Sequence, residues 1–551
     1  MEQTFHRLRA GLGPINGWLI GAVFVAALVL MPLISVLVMA MGGARTDWVH
    51  LWSTIMPRYI SNSLIMMLGV GAFATLIGTT MAWIIASRNF PGRWFLQYAQ
   101  MMPLAIPSYV AAYALVDSLE YSGPLQSLLR DIFGWQTARD YWFPEIRSKW
   151  AGIFVMSMAL YPYIFLLAKG SFQAQGASTS DVARALGCSP RQAFWRVSLP
   201  MARPAVVAGA AIVMMEVLND FGTVEFFAIQ TLTTGIFSLW LEASDRGGAA
   251  QIAMMILALV LILAVVEKTS RRRRRFHGLV KSDRPLQRVA VSGLRGWGLT
   301  ALCALPFLGG FVIPLGVILS RVEPGGWVDD GLWQAARNTA SLGSSAAVLA
   351  VLGAVFLTQS VRYSPGRWIT RITPVTTIGY AAPGAVLAIG ILFPLAALDH
   401  RLADGIEAFT GMDPGLLLTG TAFSIVLAYV VRFFAIAQGA VESAMAQITP
   451  SMDDAARSLG RGRWTILRRL HLPLIRGSIA TALVLIFVDS VKELPATLML
   501  RPFNFDTLAT RVYSFASTED LERAAPAAIL VTLAGLVPIL ILAWTGNRTV
   551  R

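Results

Sequence analysis

The chain has 551 residues, 56% of them hydrophobic and 14% charged, with a mean hydropathy of +0.61. Soluble proteins carry about 25% charged residues, so a soluble globular protein is excluded and an integral membrane protein is indicated. The net charge of +14 would suggest nucleic acid on a soluble chain, but its distribution here argues against that.

Charge-free intervals run 10–44, 59–87, 94–116, 150–168, 247–266, 296–320, 338–361, 372–398, 414–431 and 524–547. Each has about the 18 residues needed to cross roughly 30 Å of hydrocarbon as a helix. Two shorter apolar stretches, 204–215 and 477–488, complete a set of twelve, six per half. With the N-terminus inside, alternate loops place 30 Lys and Arg on the inner side and 14 on the outer, with Arg432 inside a helix. This is the positive-inside asymmetry, and it puts both termini in the cytoplasm. The five arginines Arg271 to Arg275 follow a membrane helix directly and read as a topology anchor, not a nucleic-acid patch. The first apolar run is too long for the core of a cleaved signal peptide. Cys188 and Cys303 are placed apart, on the inner side and within a helix, and form no CxxC motif.

A twenty-residue pattern occurs twice, 273 residues apart: DVARALGCSPRQAFWRVSLP at 181–200 and DAARSLGRGRWTILRRLHLP at 454–473. Eight of twenty positions agree without gaps, where roughly one would agree by chance. SRNFPGRW at 87–94 matches VRYSPGRW at 361–368, Asn62 matches Asn338, and Pro107 matches Pro383 inside the third helix of each half. The near-constant offset and the common inner start describe a parallel repeat. The division is 1–270 as the first six-helix repeat, with a polar loop at about 178–203; 271–295 as a basic linker; and 296–551 as the second repeat, with its loop at about 449–476. The fold class is an all-α membrane protein. A longer outer loop, 119–149, carries Trp135, Tyr141 and Trp142, which suit an interfacial belt.

Inside each loop, Ser180 or Thr449 can cap a helix, Pro450 suits a first helical turn, and Gly187 and Gly460 end it. Ser189-Pro190 starts a second helix, and Leu199-Pro200 and Leu472-Pro473 mark entry to the next span. This spacing resembles the signature loop of bacterial ABC-importer permeases: Glu-Ala-Ala, three residues, Gly, nine residues, Ile, one residue, Leu-Pro. Asp181, Val182, Ala183, Gly187, Val197, Leu199 and Pro200 occupy it, and so do Asp454, Ala455, Ala456, Gly460, Leu470, Leu472 and Pro473. Asp replaces Glu and another aliphatic residue replaces Ile in both copies. The resemblance implies that each loop is a coupling helix seated in a groove of an ATPase subunit, and Asp181, Ala183, Gly187, Leu199 and Pro200, with Asp454, Ala456, Gly460, Leu472 and Pro473, become the coupling residues. A phosphate-binding loop needs Gly-Lys-Ser/Thr, and none of Lys149, Lys169, Lys268, Lys281 and Lys492 follows a glycine. The chain therefore reads as a transport subunit and not an enzyme, carrying no cofactor or permanent metal of its own. ATP would be used by two copies of a separate cytoplasmic ATPase.

The interrupted fifth helices hold the candidate path. Glu216 and Asp489 match at an offset of 273, as do Asp220 and Glu493. The i, i+4 spacing places each pair on one helical face, with Glu216 and Asp489 about 24 Å from the Leu-Pro start. Ionisable groups at that depth face a protein interior or a pore, or form salt bridges at the outer boundary. Asn219 and Lys492 stand beside them. Segments 216–237 and 492–513, with SGPLQ at 122–126, are similar to permeases of ferric-iron importers. The resemblance implies an inner-membrane permease for ferric iron delivered by a periplasmic binding protein. Thiamine, polyamine or phosphonate import remains the alternative, and an ion-coupled secondary transporter is the rival from another class.

Overall fold

The computed structural model describes residues 17–42, 48–175, 187, 189–272, 288–363 and 382–548, together with 369, 372–373, 375–376 and 379. Asp181, Ala183, Cys188 and Pro365 to Trp368 lie outside the described residues. Of the helices in the first half, those used below are α1 (Gly17–Met41), α2 (Met56–Ser87), α3 (Ser108–Leu119), α4 (Lys149–Ala174), α5 (Leu199–Asn219), α6 (Gly222–Phe226), α7 (Leu232–Phe237) and α8 (Arg246–Arg272). Those of the second are α9 (Gly293–Phe307), α10 (Ile313–Ser320), α11 (Asp330–Tyr363), α12 (Gly384–Thr410), α13 (Phe423–Met445), α14 (Pro450–Ser458), α15 (Leu472–Val491), α16 (Pro495–Leu500), α17 (Leu508–Ser517) and α18 (Leu521–Arg548). Strand structure among the described residues is one short parallel pair, Arg88–Asn89 with Val289–Ala290.

Eleven of the described helices are long and apolar enough to span a membrane, or twelve if one bent pair counts as a single span. That pair, Arg93–Ala105 with Ser108–Phe133, turns through 92° and corrects the reading of 94–116 as one straight helix. The cause is Pro107, which sits at the cap position of α3 with ψ 144° and not inside a helix. Pro383 holds the same position before α12, with ψ 148°. Proline has no N–H to donate and its ring clashes with the preceding turn, so the helix can only begin there. The short stretches 204–215 and 477–488 extend into the full-length helices α5 and α15.

The chain packs as two compact units that cut across the sequence halves. One comprises residues 1–45, 245–257 and 333–510; the other comprises 46–244, 258–332 and 511–551. In the 333–510 unit, α1 lies on the third helix of the second half. Gly390 of α12 has no room for a Cβ because the backbone of Pro32 in α1 fills the space. The Trp18 ring stacks on Phe356 of α11 at 5.2 Å. In the 46–244 unit, α9 and α10 do the same for the first half. Arg321, just past α10, donates twice to Asp117 of α3 at 2.8 Å, and Gln100 donates to the carbonyl of Cys303 in α9. Gly535 of α18 rests on the backbone of Ala105. Small residues let backbones approach where lipid offers no hydrophobic drive for helix association. Cys303 is buried as a free thiol.

Candidate functional site

The second polar loop is built from the backbone upward. Pro450 opens α14, and Thr449 takes the cap position, although its hydroxyl bonds Ser451 and not a backbone N–H. The helix ends in a Schellman motif: Gly460 N–H donates to Arg457 O at 2.9 Å and Arg461 N–H to Ala456 O at 3.1 Å. This requires a left-handed residue, and Gly460 has φ +73°. Gly187 has φ +78° at the matching place in the first loop. An L-residue pays about 1–2 kcal/mol for that conformation.

The Leu-Pro pair that closes each loop has a structural effect invisible in the motif itself. Phe194–Ser198 and Leu467–His471 are single π-helical turns at the same offset of 273. Leu199 N–H donates to Phe194 O, and Leu472 N–H to Leu467 O, five residues back. Pro200 and Pro473 have no N–H and their rings crowd the carbonyl four residues earlier, so the preceding turn widens. The widened turn joins the loop to α5 or α15 without a break.

Asp454, the acid that matches the signature, is exposed and reaches only Arg457 at 3.5 Å. Its neighbour Asp453 is buried. Asp453 accepts from Arg362 Nε at 2.6 Å and bonds His471 Nε2 at 2.8 Å. Arg362, at the end of α11, also donates to the carbonyls of Ile448 and Thr449 at 3.0 and 3.3 Å. His471 Nδ1 pairs with Gln359 Nε2 at 3.0 Å. Burial pushes the Asp453 carboxyl up, but the bonds from Arg362 and His471 outweigh it and hold the group below its ordinary range. Sequence spacing did not single out Asp453. At an offset of 273 the first loop has Ser180 for Asp453 and Ser198 for His471.

The fifth helix of each half stops short and continues as a hairpin of short helices. α5 ends at Asn219 and α15 at Val491, so Asp220 and Glu493 fall beyond the helices. This corrects the expectation that each pair of acids shares one continuous helical face. Asp220 instead caps α6: it accepts from Thr223 N–H and Thr223 Oγ1 at 2.8 Å and from Ser108 Oγ at 2.5 Å. Glu493 caps α16 through Ala496 N–H at 3.2 Å and pairs with Arg432 of α13 at 2.9 Å. The pair is buried, with side chains 11% and 4% exposed. Gly384 makes room for it, because a Cβ there would collide with both partners. Ser108 and Gly384 correspond at an offset of 276, but the hairpin acid is met differently in each half, by the Ser108 hydroxyl of α3 in the first and by Arg432 of α13 in the second. Glu216 and Asn219 stay on α5, Asp489 on α15, and Lys492 caps its end; Glu216 and Asp489 are half-buried.

A second anchor repeats as well. Asn62 Nδ2 donates to Gln230 O at 2.7 Å and Asn338 Nδ2 to Asp506 O at 2.9 Å. Ser63 Oγ accepts from Leu232 N–H at 2.9 Å, and Thr339 Oγ1 from Leu508 N–H at 2.8 Å. All four correspondences share the offset 276. The second helix of each half thus pins the far arm of the hairpin. Lys149 Nζ adds a bond to Asn62 Oδ1 at 2.9 Å.

Comparison with known proteins agrees with this duplicated architecture. The family described as "Binding-protein-dependent transport system inner membrane component" matches residues 74–276 and again 344–551. The chain is 24% identical over 500 residues to the Fe(3+)-transport system permease protein FbpB 2 of Haemophilus influenzae, covering 88% of this chain and 90% of that one. It is 24% identical to the ferric transport system permease protein FbpB of Actinobacillus pleuropneumoniae, over 84% of this chain and 67% of that protein. The sulfate transport system permease protein CysT of Escherichia coli is 30% identical over 268 residues, 46% of this chain and 92% of its own length. With two family matches on two loop-and-hairpin repeats, the chain belongs to the binding-protein-dependent inner membrane components and is a fused two-repeat permease of an ABC importer.

Proposed function

We propose that this permease forms the translocation path for ferric iron, delivered by a periplasmic binding protein and driven by two copies of a cytoplasmic ATPase, one at each coupling loop. The observation that carries the substrate is the match to FbpB 2 across 88% of this chain and 90% of that protein, both repeats included. The coupling contacts fall to Asp181, Ala183, Gly187, Leu199 and Pro200, and to Asp454, Ala456, Gly460, Leu472 and Pro473. Both termini and the linker are assigned to the cytoplasm, which the charge asymmetry supports.

Within the path the acids divide their labour. Asp220 and Glu493 hold the hairpins, which supports a positioning role for them. Glu216, Asn219, Asp489 and Lys492, at the ends of α5 and α15, are the groups we assign to the moving solute. The bond pattern favours this division, since each hairpin acid has all its partners in its own hairpin and the helices beside it.

The test is uptake of radioactive Fe(III) into proteoliposomes holding permease, ATPase and binding protein. Iron should enter only with ATP and with all three components. A second reading, oxyanion import, is favoured by the 30% identity to the sulfate permease over one repeat. ATP-driven uptake of sulfate, and not iron, would replace the ferric assignment. Uptake by the chain alone on an ion gradient would replace the ABC mechanism.

A further inference from the structure

One cluster of cations in the 46–244 unit is used by neither the coupling loops nor the hairpins. It forms where the short strand pair meets α2, α4 and α9. Arg288 immediately precedes Val289, which pairs with Arg88 in parallel register, and Val291 N–H donates to Asn89 O at 2.8 Å. The chain then turns at Pro91-Gly92 into a short helix, Arg93–Ala99. Thr300 of α9 holds that turn by donating to Pro91 O at 2.6 Å. Arg93 opens the short helix and reaches back, its Nε donating to Ile85 O of α2 at 2.9 Å. One turn on, Gln97 O accepts from Lys169 Nζ of α4 at 3.5 Å, so Lys169 reaches the same short helix. Lys169 is also within electrostatic reach of Arg93 and Arg288. Arg93 is 8% exposed, and its Nη2 is buried without an acceptor. The Lys169 ammonium lies 5.5 Å from the Phe165 ring. Buried cations are costly unless a counter-charge meets them. The segments that build this corner, 59–116, 146–180 and 284–322, contain no Asp or Glu.

The second half carries its own acids at the matching places. Arg362, which aligns with Arg88 in the repeated PGRW segment, pairs with Asp453 at 2.6 Å. At the loop offset of 273 the first half has Ser180 for Asp453, and Lys169 stands where the second half has Glu442. One negative charge is missing and another is reversed, so the first half needs an anion that its own sequence does not supply. The rim of the cluster is apolar and open. Trp94 and Trp297 are exposed beside it, and Phe95, itself exposed, meets Phe307 of α9 edge-on at 5.8 Å. Tryptophans next to basic residues mark the headgroup level of a membrane protein, and basic pockets between helices on the cytoplasmic side suit anionic headgroups.

We propose that Arg93, Lys169 and Arg288 bind the phosphate group of an anionic phospholipid of the cytoplasmic leaflet, with its acyl chains along Phe95 and α9. The guanidinium of Arg93 supplies fixed donors for phosphate oxygens, and Lys169 and Arg288 add charge. The apolar rim distinguishes a lipid from a free phosphate, which would gain nothing from it. The leaflet follows from the assigned topology, and the site does not depend on which solute the permease carries.

The test is native mass spectrometry of the full-length permease in detergent, titrated with phosphatidylglycerol, phosphatidylcholine and inorganic phosphate. The wild type should hold phosphatidylglycerol at least tenfold more tightly than phosphatidylcholine. Lys169→Gln and Arg288→Gln should each weaken phosphatidylglycerol about tenfold and leave phosphatidylcholine unchanged. Lys169→Glu, which gives the first half the charge of the second, should remove the preference. Arg461→Gln, which changes an exposed cation of the other repeat, should alter neither affinity. Arg288 is exposed, so Arg288→Gln should keep the wild-type unfolding temperature and carries the test if the Lys169 variants fold poorly. Equal affinity for the two lipids, a preference that survives Arg288→Gln, or an equal loss in Arg461→Gln overturns the site. Inorganic phosphate that binds as tightly as phosphatidylglycerol and displaces it overturns the assignment to a lipid.

Discussion

Replacing Asp453 by Asn should loosen the second polar loop without disturbing the membrane helices. The carboxylate is 5% exposed and bonds Arg362 at 2.6 Å and His471 at 2.8 Å. Removing one partner of a buried ion pair costs about 3–5 kcal/mol. Arg362 is 18% exposed and keeps the carbonyls of Ile448 and Thr449 as acceptors, so the remaining charge is partly satisfied. The asparagine oxygen can still accept one bond. Hydrogen bonds to charged groups are worth about 1.5–3 kcal/mol, and a local loss of about 2–3 kcal/mol follows. Amide hydrogen exchange reads this directly: the amides of α14 should open about 30- to 160-fold more often, while those of α15 beyond the π turn stay as they were. The pH dependence has a definite sign. A carboxyl depressed on folding contributes stability above its unfolded value near 4, lost as pH falls through the lower folded value. Asp453 should therefore add no pH dependence between about 5 and 8, and α14 protection should fall only below about 4. Unchanged exchange in the variant would refute the claim that this carboxylate holds the loop.

Gly460→Val meets open space but must adopt φ +73°. It should cost about 1–2 kcal/mol locally and uncouple ATP hydrolysis from uptake at wild-type membrane abundance; in the double variant with Gly187→Val, co-purification of the ATPase at wild-type levels with unchanged uptake would count against this. Arg432→Leu strands a buried Glu493 and should destabilise the permease by about 3–5 kcal/mol, as read by denaturant unfolding in detergent, with Arg432→Leu/Glu493→Leu recovering a large part. Asn338→Ala removes a bond to the Asp506 carbonyl and should cost about 1 kcal/mol, with a larger loss for Asn62→Ala, whose side chain also accepts from Lys149. Single cysteines at 280 and 130 should label from the inside and the outside respectively, and the reverse pattern would invert the topology.

The turn geometry of the second polar loop was legible because its signals are local. A glycine after a short helix, a Leu-Pro step and a fixed count between them depend on neighbours within one turn. The anchors were not legible for the opposite reason. Asn62 and Asn338 could be paired by offset, but their partners are backbone carbonyls 168 residues away, and a carbonyl leaves no trace in residue identity. Asp453 was passed over because the signature points to Asp454, and only packing separates a buried acid from an exposed one a residue away. The acids at 220 and 493 were found by spacing, but the spacing also suggested a continuous helix. What ends α5 and α15 is the competing cap that each acid gives to the next short helix. The placement of α1 with the second half had no sequence signal, since an apolar stripe does not say which other stripe it will meet.

That placement of α1 has a consequence for biogenesis. Its packing partners in α11 and α12 begin some 290 to 340 residues later in the chain. At about 5–20 residues per second of synthesis, α1 waits on the order of half a minute in the bilayer before Phe356 or Gly390 exists. During that interval its Gly21 and Pro32 face lipid or a membrane chaperone. Translation of α9 and α10, by contrast, completes a surface for which α3 is already in place. A ribosome stalled in the linker would thus leave a first half lacking α9, α10 and α18, with α1 unclaimed, and such a fragment should be a preferred substrate for intramembrane quality control.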